Sequence, residues 1–260
     1  MKERFYRSVI ELTNGRWSSH LLKKFATSTF SKKCIQSYSK VYGIHMDEVS
    51  KQPQQFEHLQ DFFIRQLKQE VRPLCVDEKA VVSPVDGTVE TFGQITADAV
   101  FTVKNKPYSI IDLLGKEQLA ERYIDGHYII FYLSPANYHR IHSPFNGIVE
   151  RQYILGRKSY PVNQLGLTYG KKPLSHNYRL VSEVTFGHDA HAVLIKVGAT
   201  FVNSIELTNT TTSWEKGEEI GYFSFGSTVV MLFEKDTITW TEHLQEKQLI
   251  RMGEAFANML

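Results

Sequence analysis

The octapeptide Ser83-Pro84-Val85-Asp86-Gly87-Thr88-Val89-Glu90 returns 60 residues later as Ser143-Pro144-Phe145-Asn146-Gly147-Ile148-Val149-Glu150. A turn signal followed by a β-branched run, given twice at one offset, predicts two equivalent turn-then-strand units in pseudo-symmetric halves of one sheet system. Asp-Gly and Asn-Gly predict positive φ angles in tight hairpin turns. From about residue 80 onward, short alternating stretches recur between turn residues: Thr88–Gln94, His127–Leu133, Ile148–Leu155, Ala192–Val197 and Thr228–Phe233. That is the pattern of a largely β domain.

The preceding part reads differently. Residues 1 to about 68 hold few β-branched clusters and read as helical, with a break at Thr13-Asn14-Gly15 and a last amphipathic turn at Phe62-Phe63-Ile64-Arg65-Gln66-Leu67. Charge is also concentrated there. The first 40 residues carry nine Lys or Arg against Glu3 and Glu11, a segment of +7 in a chain of net +2. Apolar residues at helix-like intervals (Phe5, Val9, Leu12; Leu21, Leu22, Phe25) fit a basic amphipathic surface on an anionic membrane, and equally a solvated face packed on the body of the protein. No nucleic-acid motif accompanies the charge. Cys34 and Cys75 lack CxxC spacing and read as free thiols. No apolar run approaches the roughly 20 residues of a membrane span, and the first residues do not read as a signal peptide, so the expected place is inside the cell.

Chemistry concentrates in Phe223-Ser224-Phe225-Gly226-Ser227-Thr228-Val229, where Gly-Ser-Thr sits between two β-like runs. Glycine leaves the peptide carbonyl unshielded, so the Ser227 hydroxyl is able to attack the carbonyl of Gly226. Alone, such a tripeptide is an ordinary turn. It has company: a candidate general base in Tyr138-His139-Arg140-Ile141-His142-Ser143-Pro144, and a candidate orienting carboxylate in Asp86. Carboxylate, imidazole and hydroxyl are the three roles an activated serine requires, although each residue by itself has a plainer structural reading.

Together these segments resemble the phosphatidylserine decarboxylase family, marked by a (Leu/Phe)-Gly-Ser-Thr self-cleavage motif, a Tyr-His-Arg-x-His-x-Pro segment and an Asp-Gly turn before it. Phe62-Phe63-Ile64-Arg65 with Arg72-Pro73, Pro161-Val162-Asn163 and the stretch from Val197 to Ile205 follow in family order. The match covers residues 55–235 well and the first 50 poorly. Two departures stand out: Phe225 where Leu is commoner, and Asn177-Tyr178-Arg179 where Asn-Glu-Arg is expected.

The resemblance implies that Asp86, His142 and Ser227 form a self-processing triad and that His139 assists decarboxylation. Cleavage between Gly226 and Ser227 would turn Ser227 into a covalent pyruvoyl cofactor, whose ketone condenses with the substrate amine. No metal is implied. It further implies phosphatidylserine in the membrane as substrate, a heterodimer of fragments 1–226 and 227–260, with further homo-oligomerisation left open, and peripheral attachment to the cytoplasmic side of the cell membrane. The expected fold is α+β: a helical membrane-associating region over 1–70, then over 71–260 a mainly antiparallel β sandwich-barrel with a lipoyl-like internal duplication.

Other readings use the same residues. A serine hydrolase would keep Asp, His and Ser in this chain order, but Ser227 lacks the Gly-x-Ser-x-Gly elbow. A non-catalytic lipoyl-like binding module would need a modified lysine at a hairpin tip, and no such tip is present. His139/His142 and His188/His191 are each three apart, a weak metal signal without an acidic or cysteine partner. A pyruvoyl decarboxylase of soluble amines fits less well than one acting on a phospholipid, because of the basic N-terminal region and the length of the match.

Overall fold

The computed structural model describes residues 21, 23–199, 205–224 and 227–260, so the basic stretch ahead of Leu21, Thr200–Ser204 and the Phe225-Gly226 pair lie outside the described residues. Eight antiparallel strands form the central sheet. Their spatial order is Ser213–Trp214, Gly147–Leu155, Arg179–Phe186, Ala190–Gly198, Ser227–Phe233, His127–Leu133, Gly87–Gln94 and Leu249–Ile250. Alternate residues of the Ser227–Phe233 strand enter two different cores: Val229, Met231 and Phe233 one, Val230 and Leu232 the other. A strand buried on both faces has no reason to alternate with polar residues, hence the unbroken apolar run. Two three-stranded sheets, Ala80–Val82 with Ala255–Met259 and Ile238–Trp240, and Arg140–His142 with Glu219–Phe223 and Ile205–Leu207, share the core of Val229, Met231 and Phe233, while the pair Val100–Val103 and Lys106–Ser109 joins the other core. The architecture is α+β with a β-rich body, and the sheets do not close into a barrel.

The sheet order is palindromic about the pair Ala190–Gly198 and Ser227–Phe233. Thr88 pairs with Tyr132 just as Ile148 pairs with Thr185, and each ladder is interrupted at a glutamate, Glu90 or Glu150. One step further, Leu133 faces Ser227 and Phe186 faces Ala190, which makes Ala190 the counterpart of Ser227. The repeated octapeptides lie at the axis. Each opening serine bonds within its own turn, Ser83 Oγ to Val85 O (2.7 Å) and Ser143 Oγ to Phe145 O (2.6 Å). The two turns also exchange backbone bonds, Val82 N to Pro144 O and His142 N to Pro84 O.

Positive φ is not what the Asp-Gly and Asn-Gly pairs supply; none of the four residues adopts it. Glycine is required there by close approach instead. A Cβ on Gly87 would lie 2.6 Å from the Tyr132 carbonyl oxygen, and one on Gly147 2.8 Å from that of Thr185. The turns are also not hairpins, since Asp86-Gly87 leads from one sheet into another. A second repeat, not evident in the sequence, completes each half: Glu215-Lys216-Gly217-Glu218 and Arg251-Met252-Gly253-Glu254. The Met252 amide donates to Asp86 Oδ1 and the Lys216 amide to Asn146 Oδ1, at 2.9 and 2.8 Å.

The described part of the N-terminal region is less helical than its composition predicts. It holds helical backbone at 21 and 23–26, a 3-10 turn at Thr29–Cys34, α-helices at Ile35–Val41 and Leu59–Phe63, and a 3-10 turn at Pro53–Gln55. Gly43 at positive φ and Pro53 break it, and Val49 bridges to Leu67 in place of the expected last helical turn. Ile35, Ile44, Val49, Phe56 and Phe62 form an apolar cluster of their own. Among the described residues no helix is long and apolar enough to cross a membrane.

Candidate active site

Ser227 opens the central strand, fully buried, with Leu133 and Gly198 as its neighbours across the sheet. Its Oγ lies 3.3 Å from His139 Nδ1. On the far side of that ring, Nε2 lies 3.0 Å from the carbonyl oxygen of Ser134. A carbonyl only accepts, so Nε2 carries the hydrogen and Nδ1 offers its lone pair to the Ser227 hydroxyl. Burial, with the Arg65 guanidinium adding to it, pushes His139 down to about 3. The imidazole facing Ser227 is therefore neutral at physiological pH, as a proton acceptor must be.

The position of His139 is set from the N-terminal region. The helix Leu59–Phe63 delivers Phe63, whose ring stacks on the imidazole. Just beyond it, the Ile64 carbonyl accepts from Arg140 Nε (3.0 Å), and Arg65 Nη2 donates to the carbonyls of Ala136 and Asn137 (2.7 and 2.9 Å). These bonds fasten the loop carrying Ser134 and His139 to the segment after the helix. Tyr38 adds a further bond to the Pro135 carbonyl.

His142 is buried nearby but faces other partners. Its Nδ1 donates to the Gly217 carbonyl (2.8 Å), and its Nε2 accepts from the Tyr138 hydroxyl (3.0 Å). Burial lowers its pKa, and the charge of Asp86 works in the opposite direction. Asp86 itself is held by Arg72, with Nη2 to Oδ2 at 2.6 Å and Nε shared between both oxygens at 2.9 and 3.0 Å. Arg72 in turn reaches Glu48 at 2.9 Å.

The expected chain of hydrogen bonds from Asp86 through His142 to Ser227 is thus not what the structure contains. His139, expected to assist decarboxylation, is the histidine at the serine. His142 and Asp86 lie next to the site, each satisfied by another group. The physical reason is extended-chain geometry: residues three apart in an extended segment point to opposite faces, so with His139 at Ser227 the His142 ring turns to Gly217 and Tyr138. Gly226, the other half of the expected cleavage bond, lies outside the described residues.

Sequence reasoning assigned no role to Phe63, Tyr138, Arg65 or Arg72. The Phe62-Phe63-Ile64-Arg65 and Arg72-Pro73 segments were the available signal, since they stand out in a region otherwise poor in motifs. Tyr178, the departure from Asn-Glu-Arg, packs against the main apolar core, while Asn177 bonds to Tyr160 and Gly198. Among the described residues no group of three or more His, Cys, Asp or Glu is arranged to hold a metal ion. As for a pyruvoyl group at position 227, the donors fit. A neutral imidazole meets the Ser227 hydroxyl, and the backbone beyond it is paired on both sides, so a chain cut ahead of Ser227 keeps its seven-residue strand in the sheet.

The family model for phosphatidylserine decarboxylase matches residues 59–258. Over 260 residues the chain is 50% identical to the phosphatidylserine decarboxylase proenzyme of Bacillus thuringiensis (strain Al Hakam), covering 100% of this chain and 99% of the relative. The same identity and coverage hold for the proenzymes of that name from Bacillus cereus strains 03BB102 and ATCC 10987. The likeness therefore extends through the first 50 residues, where motifs alone match poorly.

Proposed function

This chain belongs to the phosphatidylserine decarboxylase family, and we propose that it converts phosphatidylserine to phosphatidylethanolamine and carbon dioxide with a pyruvoyl group made from its own Ser227. The observation that carries this reading is the buried contact of Ser227 with a neutral His139. Loss of the hydroxyl proton lets Oγ attack the carbonyl of Gly226, and the acyl group moves from nitrogen to oxygen. Loss of the α-proton of residue 227 forms a Cα=Cβ bond as the Cβ–O bond breaks, which releases the Gly226 carboxylate and leaves a dehydroalanine that tautomerises to an imine. Water then replaces the nitrogen of residue 227, which leaves as ammonia. When formed, the pyruvoyl group supplies an electron sink for decarboxylation, as pyridoxal phosphate does elsewhere. His139 remains beside residue 227, where it is placed to return a proton to the substrate α-carbon. Phe63 and Ser134 hold it there.

Two assignments of the processing base are open to test. The hydrogen bond favours His139. The charge of Asp86, which strengthens His142 as a base, favours the Asp86–His142 pair acting after His142 exchanges Tyr138 for Ser227. Cleavage stopped by His139→Ala and not by His142→Ala supports the first; the reverse supports the second.

Residues 1–70 are taken as the membrane-facing region and 71–260 as the catalytic body. Leu21, Phe25, Phe30 and Val41 are exposed among Lys23, Lys24, Lys32, Lys33 and Lys40, a composition suited to peripheral attachment at an anionic leaflet, which for an intracellular enzyme is the cytoplasmic one. After cleavage the two fragments stay together as a heterodimer through the central strand.

Intact-mass spectrometry beside a Ser227→Ala variant tests the reading. Fragments 1–226 and 227–260, the smaller one lighter by one ammonia than hydrolysis alone gives, and neither in the variant, are expected. A single unmodified chain from the parent protein overturns self-processing.

A further inference from the structure

Arg65 is buried, with 4% of its surface exposed, and only part of its guanidinium is used. Nη2 donates to the carbonyls of Ala136 and Asn137 and the guanidinium lies over the Phe62 ring, 5.4 Å from its centroid, whereas Nε and Nη1 have no hydrogen-bond partner and are shielded from solvent. Among the described residues no carboxylate lies within ion-pair distance of it. Arg72, by contrast, is matched by both Asp86 and Glu48. Burial lowers Arg65 only to about 10, so it keeps its charge at neutral pH. The charges of Asp86 and Glu48 act on it from a distance, but a buried cation with no carboxylate bound to it is costly, and an anion seated on its free N–H groups would offset that cost.

The ligand has a place to sit. A cavity of about 310 Å³ is lined by Arg65, Arg72, Arg251, Asp86, Glu48 and Ser134; the two carboxylates are taken up by Arg72 and Arg251, which leaves Arg65 as the arginine without a carboxylate partner among the described residues. Ser134 is also the residue whose carbonyl holds His139, so the cavity adjoins the site of Ser227. We propose that Arg65 anchors an anion subsite for the phosphodiester of the substrate headgroup, an inference that rests on the decarboxylase reading.

The substrate carries two anions, and the reaction distinguishes them. The carboxylate loses its charge as carbon dioxide leaves, so a guanidinium bound to it would stabilise the ground state more than the transition state. The phosphodiester keeps its charge throughout, and an ion pair there aids binding without opposing the chemistry. The same contact reaches His139. The field of Arg65 lowers its proton affinity, and an anion seated on the guanidinium offsets that field, so binding raises the capacity of His139 to carry a proton.

The test uses the mature protein, after intact mass has established that it is cleaved. Short-chain phosphatidylserine is compared with its methylphosphonate analogue, in which an uncharged methyl group replaces the anionic oxygen on phosphorus. Glycerophosphoethanolamine, which has a phosphodiester and no carboxylate, serves as competitor. The parent enzyme is expected to favour the charged substrate by about ten- to a hundred-fold in kcat/KM, mainly through KM. Arg65→Gln is expected to reduce that preference to near unity and to raise the inhibition constant of the competitor to a similar degree, with Arg65→Lys intermediate.

A preference unchanged in cleaved, active Arg65→Gln overturns the proposal, and so does an inhibition constant that does not move. If Arg65→Gln fails to fold or cleave, the parent enzyme decides: equal use of the two substrates overturns the proposal, and a preference for the charged one, with Arg65→Lys weakening both that preference and the competitor, supports it. A parent chain that is never cleaved would remove the functional reading and this inference together, whereas the outcomes above bear on the inference alone.

Discussion

The imidazole of His139 lies on the ring of Phe63, with centroids 3.9 Å apart and planes 22° from parallel. One ring comes from a strand-bound loop and the other from a short N-terminal helix, so the helix sets the plane in which Nδ1 meets Ser227. Phe63→Leu keeps an apolar side chain but removes the flat support. We expect cleavage to slow by about three- to ten-fold, the worth of one aromatic pair, with little change in folding. Timed intact-mass sampling after synthesis measures it; an unchanged rate would remove Phe63 from the positioning of His139.

The depressed pKa of His139 sets a pH dependence of definite sign. Between its ordinary 6.5 and about 3, the unfolded chain binds a proton that the folded chain refuses. Stability is therefore complete above about pH 6.5 and declines as pH falls toward 3, by up to about 1.4 kcal/mol per pH unit. His142, also lowered, acts in the same direction. Urea unfolding of the uncleaved Ser227→Ala variant at pH 7 and pH 5 is expected to reveal the loss, and adding His139→Gln is expected to shrink it.

Asp86 combines two functions that substitution separates. Its Oδ1 accepts from the Met252 amide, a task done in the other half by Asn146, and its charge balances Arg72. Asp86→Asn should preserve the turn and lose the ion pair, costing about 2–3 kcal/mol because Glu48 remains as a counter-ion. Asp86→Ala should cost more. Denaturant unfolding on the Ser227→Ala background provides both values, and equal losses would show that the turn bond contributes nothing.

Lys196 is fully buried within the sheet, with Ser182 Oγ at 2.8 Å and the Trp214 ring at 5.3 Å from Nζ, and burial pushes it down to about 7. Lys196→Met exchanges an expensive group for an apolar one of similar reach, and Ser182 keeps Gln152 as a donor. A gain of about 1–3 kcal/mol is expected at pH 7. Because the unfolded lysine holds its proton up to about 10.5, the gain should shrink as pH rises from 7 toward that value. Unfolding at pH 7 and pH 10 tests both the sign and the trend.

Much of the body was legible from the amino-acid order because its strands are long and their turns repeat. The strand predicted over His127–Leu133 is observed with those bounds, and the other four differ by at most two residues at either end. The second repeat went unseen because the two tetrapeptides share only the Gly-Glu pair, too little to separate from chance. Among the described residues of the N-terminal region helix is shorter than composition favours, because Gly43 and Pro53 interrupt it. Ser227, Asp86 and the two histidines were identifiable as a group. Which imidazole faces the serine was not, because that depends on the side of an extended strand toward which each residue points, and on a phenylalanine some 75 positions upstream.

The duplicated sheet supplies an internal blank for its own chemistry. At the far end of the pseudo-twofold, Ala190 stands where Ser227 would be and Asn146 where Asp86 would be, beside an open cavity of about 790 Å³. What both ends share, the serine-anchored turns and the glycines pressed against a neighbouring strand, answers to folding. Phe63, Arg65, Arg72 and His139 gather at the Ser227 end, so the departure from symmetry coincides with the side chains proposed to serve the chemistry.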